Sequence, residues 1–430
     1  IGGGDQGLGV VEAPHGGVIC GFGAHQQIGE RLGRRHLGQH LGENAGGDFA
    51  AASAAVRQFR ESQGCFSHLF VPLFAVIAMS SSHPAPFAVG LERLGDFDTI
   101  IDVRTPAEYA EDHIPGAINC PVLDDEERVR VGTLYKQVSP FEARKLGAAL
   151  VSRNIAHHLE THFGSKPKGW KPLIYCWRGG QRSGAMTLVL GQVGWAARQL
   201  SGGYKAFRHQ VLADLEAIPG RLQLKVLCGP TGSGKTALLE ALAAGGEQVL
   251  DLEGLAHHRG SVLGGETDDR QPGQKAFETA LWQRLSGFDP SRPVWAESES
   301  RRVGRLHVPS ALFSRLTDGV CVGVEAPMEA RIAHLLDRYG DMIADPAVLG
   351  ARLARLVPQH GRERVAGWLA LVEEGAWAQL ARELVQEHYD PAYRRGGDSL
   401  YRRRGQGVVL ELASLEGAAL AAAARRLAAG

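Results

Sequence analysis

A cysteine, two glycines and two arginines share the stretch YCWRGGQRSG, residues 175–184. That composition builds a loop able to hold an anion over a sulfur. Gly179 and Gly180 let successive backbone N–H groups point inward as an anion nest. A helix running on from Ser183 adds its positive N-terminal end. Arg182 and Arg178 bring formal charge, and Trp177 and Gln181 complete the turn. Together these groups favour a nucleophilic thiolate at Cys176 near neutral pH. A lone cysteine after a strand is ordinarily an inert buried thiol, but this surrounding argues for the reactive reading.

A second anion loop follows some fifty residues on. Gly229–Thr236 reads GPTGSGKT, a full Walker A pattern between an apolar run, LQLKVLC, and a helical one, ALLEALAAGG. Its N–H groups, those of Gly232, Ser233 and Gly234 among them, would cradle a di- or triphosphate, with Lys235 bridging the phosphates. Thr236 is the ligand a Mg²⁺ ion would take, and no tightly bound cofactor is expected. Cys228, just before the loop, reads as strand core. Downstream, DLEGLAHHRGS carries Asp251, Glu253, His258 and Arg259. The stretch PVWAESESRR resembles a Walker B region, with apolar residues running into Glu297 and Glu299, then Arg301. These form a candidate second site in the same domain. Two adjacent histidines are usually only a polar loop, so His257 and His258 receive no metal. In HYDPAYRRGGDSLYRRRGQ, Tyr393 is interleaved with Arg394, Arg395, Arg402 and Arg403, which suits RNA contact or a solvated basic loop.

The elements that must position these residues are legible around them. TIIDV within 97–122 reads as a buried strand, with Asp102 and Arg104 at its carboxyl end. Thr105, Pro106 and Glu108 form a capping-box helix start. KPLIYC (171–176) is a second strand that delivers Cys176 to a sheet's carboxyl edge; SGAMTLVLGQVGW follows as a helix, and ARQLSGGYKAFR supplies a further strand and turn. Beyond the Walker A strand, 248–264, 293–309 and 319–339 hold further strand starts, and from there to the end the chain reads as largely helical. Strands alternating with helices predict α/β layers throughout, with ligands at the strands' carboxyl ends.

Length and composition bound the rest. At 430 residues the chain has room for two or three domains. Lys+Arg and Asp+Glu each total 47, so a polyanionic partner would have to meet a local patch. Six scattered cysteines show neither a disulfide framework nor zinc spacing, which points to a reducing cytoplasm. No membrane-spanning run is present, and neither membrane nor DNA is expected as a partner. Residues 1–85, rich in Gly, Ala, His and Gln, read as a disordered or non-native leader, with Met79 the expected natural start. The expected division is then 86–215 for the cysteine-loop domain and 216–430 for the P-loop domain with its helical C-terminal extension.

DVRTPAEYAEDHIPGAIN together with CWRGGQRS resembles the rhodanese (sulfurtransferase) domain, which implies a carrier role for Cys176 with Asp102 and Arg104 in support. The usual rhodanese loop places its arginine five positions after the cysteine, whereas Arg182 is six after Cys176. That spacing is similar to the loops of rhodanese-like phosphatases and arsenate reductases, which wrap a tetrahedral oxyanion. Joined to a P-loop domain, with DLEGLAHHRGS and AESESRRVGR in order, the chain resembles the tRNA 2-selenouridine synthase family over roughly 88–400. The resemblance implies a transferase that replaces the sulfur of wobble 2-thiouridine in tRNA by selenium from selenophosphate. It does so through an S-geranyl intermediate made from geranyl diphosphate. It implies selenium on Cys176 as a selenyl-sulfide, phosphate held by Arg182, and an enzyme that supplies selenophosphate as a partner. The P-loop then suits the diphosphate of geranyl diphosphate. The competing reading is a rhodanese-type sulfurtransferase fused to an ATPase or small-molecule kinase.

Overall fold

The computed structural model describes residues 87–259, 264, 271–401 and 407–429, with the side chains of 396–400 left out. The leader with Met79, and Arg402 and Arg403 of the basic segment, lie outside the described residues. Ser82–Gly430 form one unit, which carries two parallel sheets.

The first sheet joins β1 (Ala88–Val89), β2 (Thr99–Asp102), β3 (Ile118–Asn119), β4 (Pro172–Tyr175) and β5 (Arg198–Leu200) in the order β1-β5-β4-β2-β3. All its pairings are parallel, and β4, at the centre, is buried along its length, as expected of a strand covered on both faces. Register sets Asp102 beside Tyr175, so the ends of β2 and β4 lie together at the carboxyl edge. The turn after β2 is locked as expected: Thr105 and Glu108 form a reciprocal capping box, with Pro106 in the first turn of Pro106–Glu111. The helix after β4 starts at Gln181, two residues before Ser183, and ends where Gly194 takes a left-handed conformation at φ 108°. Helices Asp125–Gln137 and Pro140–His158 fill the long connection from β3 to β4.

The second sheet joins β6 (Gln223–Cys228), β7 (Gln248–Leu250), β8 (Pro293–Glu297), β11 (Val320–Glu325) and β12 (Val409–Glu411), in the order β12-β11-β6-β8-β7, again all parallel. A two-stranded antiparallel ribbon, β9 (Arg302–Val303) with β10 (Leu306–His307), stands beside it. The C-terminal part is largely helical as expected, and strand β12 adds three extended residues too short to show a periodicity of their own. Cys228 is buried at the end of β6, as its core reading required. The segment Met328–Leu400 is helical and has its own core around Trp368, Leu353 and Leu356. No helix among the described residues is long and apolar enough to cross a membrane.

The cores of the two sheets run together. One apolar cluster contains Leu173, Tyr175, Leu200 and Phe207 together with Val226, Leu250, Phe277 and Ala296. The helix Gly203–Ala217 is the seam, with Phe207 edge-on to Trp282 at 5.4 Å and Asp214 accepting from the Trp282 indole at 2.8 Å.

Candidate functional site

Both anion loops leave a central strand at its carboxyl end. In the first, Cys176 follows β4 and is 4% exposed. Its Sγ accepts from the Gly180 N–H at 3.3 Å and from the Ser183 hydroxyl at 3.2 Å. Gly179 takes φ 66°, and a Cβ there would meet the Leu200 carbonyl at 2.5 Å, so only glycine fits. Gln199, on β5, holds the loop from behind: its Nε2 donates to the carbonyls of Gly179 and Gly180 and to the Ser183 hydroxyl, at 2.7, 2.9 and 2.8 Å.

Asp102 and Arg104 form a buried ion pair at 2.6 Å. They support the loop through Tyr204, whose ring lies 4.0 Å below the Arg104 guanidinium and whose N–H donates to the Cys176 carbonyl at 2.9 Å. Cys120 is a neighbouring thiol of the same core. Burial and Asp102 push Cys120 up to about 11, so it stays a protonated core residue.

An open depression above Cys176 is walled by Glu108, Arg128, Trp177, Arg178, Gly180, Gln181 and Arg182. Arg178 is exposed, whereas the Arg182 guanidinium is paired with Glu108 at 2.8 Å. Burial raises the Glu108 carboxyl, but the Arg182 hydrogen bond and charge outweigh it, and the group sits below the usual carboxylate range. Glu108 therefore closes the capping box and keeps an arginine at the loop's rim. Arg128 and Gln199 were missed by the sequence reading, since each lies outside the motif and reaches it only through the fold.

In the second loop, Gly232 and Gly234 take φ 80° and 86°, and the helix Lys235–Ala244 begins at once. The Lys235 ammonium donates to the loop's own carbonyls, Gly229 at 2.9 Å and Pro230 at 3.2 Å. Ser233 is fully buried, and its hydroxyl has no partner among the described residues. Register places Glu297 opposite Leu227, two residues before the loop opens. Thr236 Oγ1 donates to Glu297 at 3.1 Å and lies 3.5 Å from Glu253.

Carboxylate oxygens of Glu253, Glu297 and Glu299 all lie within 4.8 Å of one another. Burial first and mutual repulsion second raise all three: Glu253 and Glu299 are pushed up to about 8, and Glu297 well above its ordinary value. Glu297 Oε1 is buried without a partner. An orphaned carboxylate oxygen, a threonine hydroxyl and two further hard oxygen donors fit Mg²⁺.

The rest of the candidate second site disperses. Asp251 caps the helix Leu252–Ala256 by accepting from Gly254 N–H at 2.8 Å. His258 packs by the ribbon at Gly304, Arg259 pairs with Asp341 at 3.0 Å, and Arg301 donates to Ser310 at 2.9 Å. Tyr393 is half-buried and Arg394 and Arg395 are exposed on the helix Asp390–Leu400.

Comparisons with known proteins agree with this two-part layout. A family model described as the tRNA 2-selenouridine synthase AAA domain matches residues 222–352, and a rhodanese-like domain model matches 90–210. Three curated relatives each bear the name tRNA 2-selenouridine synthase. That of Nitrosomonas europaea is 35% identical over 60% of this chain and 67% of its own length. That of Alcanivorax borkumensis is 32% identical over 70% and 92%. The Hydrogenovibrio crunogenus protein is 38% identical over 68% and 88%.

Proposed function

Since the chain belongs to the tRNA 2-selenouridine synthase family, we propose that it exchanges sulfur for selenium at C2 of wobble 2-thiouridine in tRNA. Selenophosphate is the selenium donor and geranyl diphosphate the activating group; the reaction runs in the cytoplasm, fed by an enzyme that supplies selenophosphate. The observation that carries this reading is the presence, in one unit, of two separate anion loops, one over the Cys176 thiol and one folded around the Lys235 ammonium.

A C2 sulfur leaves poorly until it is alkylated. In the first step it attacks C1 of geranyl diphosphate; the C–S bond forms, the C1–O bond breaks, pyrophosphate departs with the bonding pair, and the base N3–H gives up its proton to solvent. Lys235, released from the Gly229 and Pro230 carbonyls, and the loop N–H groups neutralise that charge. A Mg²⁺ ion held by Thr236 with Glu297 and Glu253 would add positive charge at the same diphosphate oxygens.

The electron count of the second step bears on which atom of selenophosphate Cys176 attacks. Selenium there is already as reduced as in the product, so a selenyl-sulfide would need an oxidant to form and a reductant to resolve. Attack on phosphorus needs neither. The S–P bond forms, the P–Se bond breaks and hydrogen selenide leaves as an anion. Selenide adds at C2, geranylthiol leaves, and water then cleaves the S–P bond to release phosphate. The six-residue step from Cys176 to Arg182 and the Ser183 hydroxyl on Sγ support this over the selenyl-sulfide that the resemblance implies.

Wobble nucleosides analysed by mass test the scheme. Lys235→Ala should abolish geranylation yet leave Cys176 loading intact, and Cys176→Ala should accumulate S-geranyl tRNA. Normal geranylation by Lys235→Ala would overturn the assignment. Radiolabelled phosphorus retained on Cys176 after selenophosphate alone supports attack at phosphorus; selenium retained with phosphate released opposes it.

A further inference from the structure

An apolar cavity of about 70 Å³ lies against the phosphate loop, lined by Thr231, Leu335, Met342, Trp377, Leu380 and Tyr389 among others. A water molecule needs only ~10–15 Å³ of such space, and close-packed interiors leave few larger voids. Its side-chain polar groups are the hydroxyls of Thr231 and two tyrosines and the Trp377 N–H.

The cavity and the phosphate loop share a wall. Thr231 is a loop residue, and a Cβ at Gly232 would lie 3.0 Å from Leu335. The Arg331 guanidinium ties the helix Met328–Arg338 to the loop by donating to the Thr231 carbonyl at 3.0 and 2.7 Å, and Asp390 anchors it from the far side at 2.6 Å.

We infer that this cavity seats the hydrocarbon tail of a diphosphate ester whose head occupies the P-loop. The inference rests on the proposed diphosphate role of that loop and assigns the residues that read the tail. A nucleoside fits poorly, because burying each unpaired base N–H or carbonyl costs about 1–3 kcal/mol and these side chains offer few partners. A branched hydrocarbon needs none. The tail's length is read by how deeply it fills the space between Leu335 and the helix Trp377–Leu384.

Calorimetric binding to the full chain with magnesium chloride present, using pyrophosphate and the five-, ten- and fifteen-carbon prenyl diphosphates, tests it. The ten-carbon ester should bind at least tenfold tighter than pyrophosphate. Ala381→Leu, which fills the cavity, should remove that advantage and leave pyrophosphate binding unchanged; Trp377→Ala should shift preference toward fifteen carbons. Equal affinity for pyrophosphate and all three esters would overturn the cavity's role, as would an Ala381→Leu protein, folded by its melting curve, that keeps the tenfold advantage. Lys235→Ala separates the two readings. If it weakens pyrophosphate and the esters alike, the loop's role stands whatever the cavity does. If it leaves both intact, the diphosphate reading itself fails.

Discussion

Ser183 has a single proton to give. Gln199 Nε2 offers it only hydrogens, so the hydroxyl must accept there and turn its own proton toward the Cys176 sulfur or the Gly180 carbonyl, 3.2 and 3.3 Å away. With that proton turned to the sulfur, Cys176 is met by two donors, Ser183 O–H and Gly180 N–H, in a loop whose shape depends on glycine. Gly203 is the tightest of these positions. It takes φ 56°, and a Cβ there would lie 2.2 Å from the Cys176 carbonyl oxygen. The left-handed backbone alone costs an L residue about 1–2 kcal/mol, and the clash forces the loop to move. Gly203→Ala should therefore lower the unfolding free energy by more than about 2 kcal/mol and abolish alkylation of Cys176 at its native rate. Denaturant unfolding and iodoacetamide kinetics on the same sample would check both; an unchanged alkylation rate would show that the loop tolerates the shift.

Asp112 joins elements that sequence spacing could not connect. Its carboxylate is 4% exposed and accepts from Tyr204 Oη at 2.7 Å and from Thr279 Oγ1 at 2.9 Å, while its carbonyl takes Arg104 Nη2 at 2.7 Å. It therefore links β2, the helix behind the cysteine loop and the helix Gln274–Ser286 of the P-loop part. Asp112→Ala leaves two buried hydroxyls without an acceptor, each worth about 1–3 kcal/mol. The expected loss is about 2–4 kcal/mol in chemical denaturation, and Thr279→Val should lose less because Tyr204 keeps its partner; equal losses would argue against a shared anchor. Local signals made much of the fold legible: the Thr105–Glu108 capping box, the apolar runs of β4 and β6, and the glycines of the Walker A turn each declare themselves within ten residues. What stayed hidden is assembled over long separations. Gln199 reaches its loop from the neighbouring strand, Arg128 from a helix about fifty residues upstream, and the apolar cavity draws its walls from Thr231 to Tyr389. The tRNA-facing reading of the basic segment rests on composition alone, and three of its five arginines lie outside the described residues.

At the scale of the whole molecule, charge is balanced at 47 against 47, so local clusters decide its response to pH. The carboxylates beside the P-loop dominate that response. Glu253 is pushed up to about 8 by burial and by Glu299, and Glu299 to about 8 by burial and by Glu297, with Lys235 offsetting part of the effect in each. In the unfolded chain the same groups ionise near 4.5. Below about pH 4.5 both states are protonated and the cluster costs nothing. Between about 4.5 and 8 the unfolded chain releases protons that the folded chain retains, so the cluster's contribution to stability falls as pH rises. A divalent cation takes the protons' place, and its affinity should increase over the same window. Glu253→Gln removes one member of the cluster. In metal-free buffer its melting temperature relative to the unmodified protein should climb between pH 5 and 8. With magnesium chloride at pH 8 the order should reverse, because the unmodified protein gains a ligand-bound state that the variant binds weakly. A difference that stays flat with pH would show that the three carboxylates share no excess protons in the folded state. A difference that climbs but ignores magnesium would place the cation elsewhere and leave the cluster as stored repulsion beside the phosphate loop.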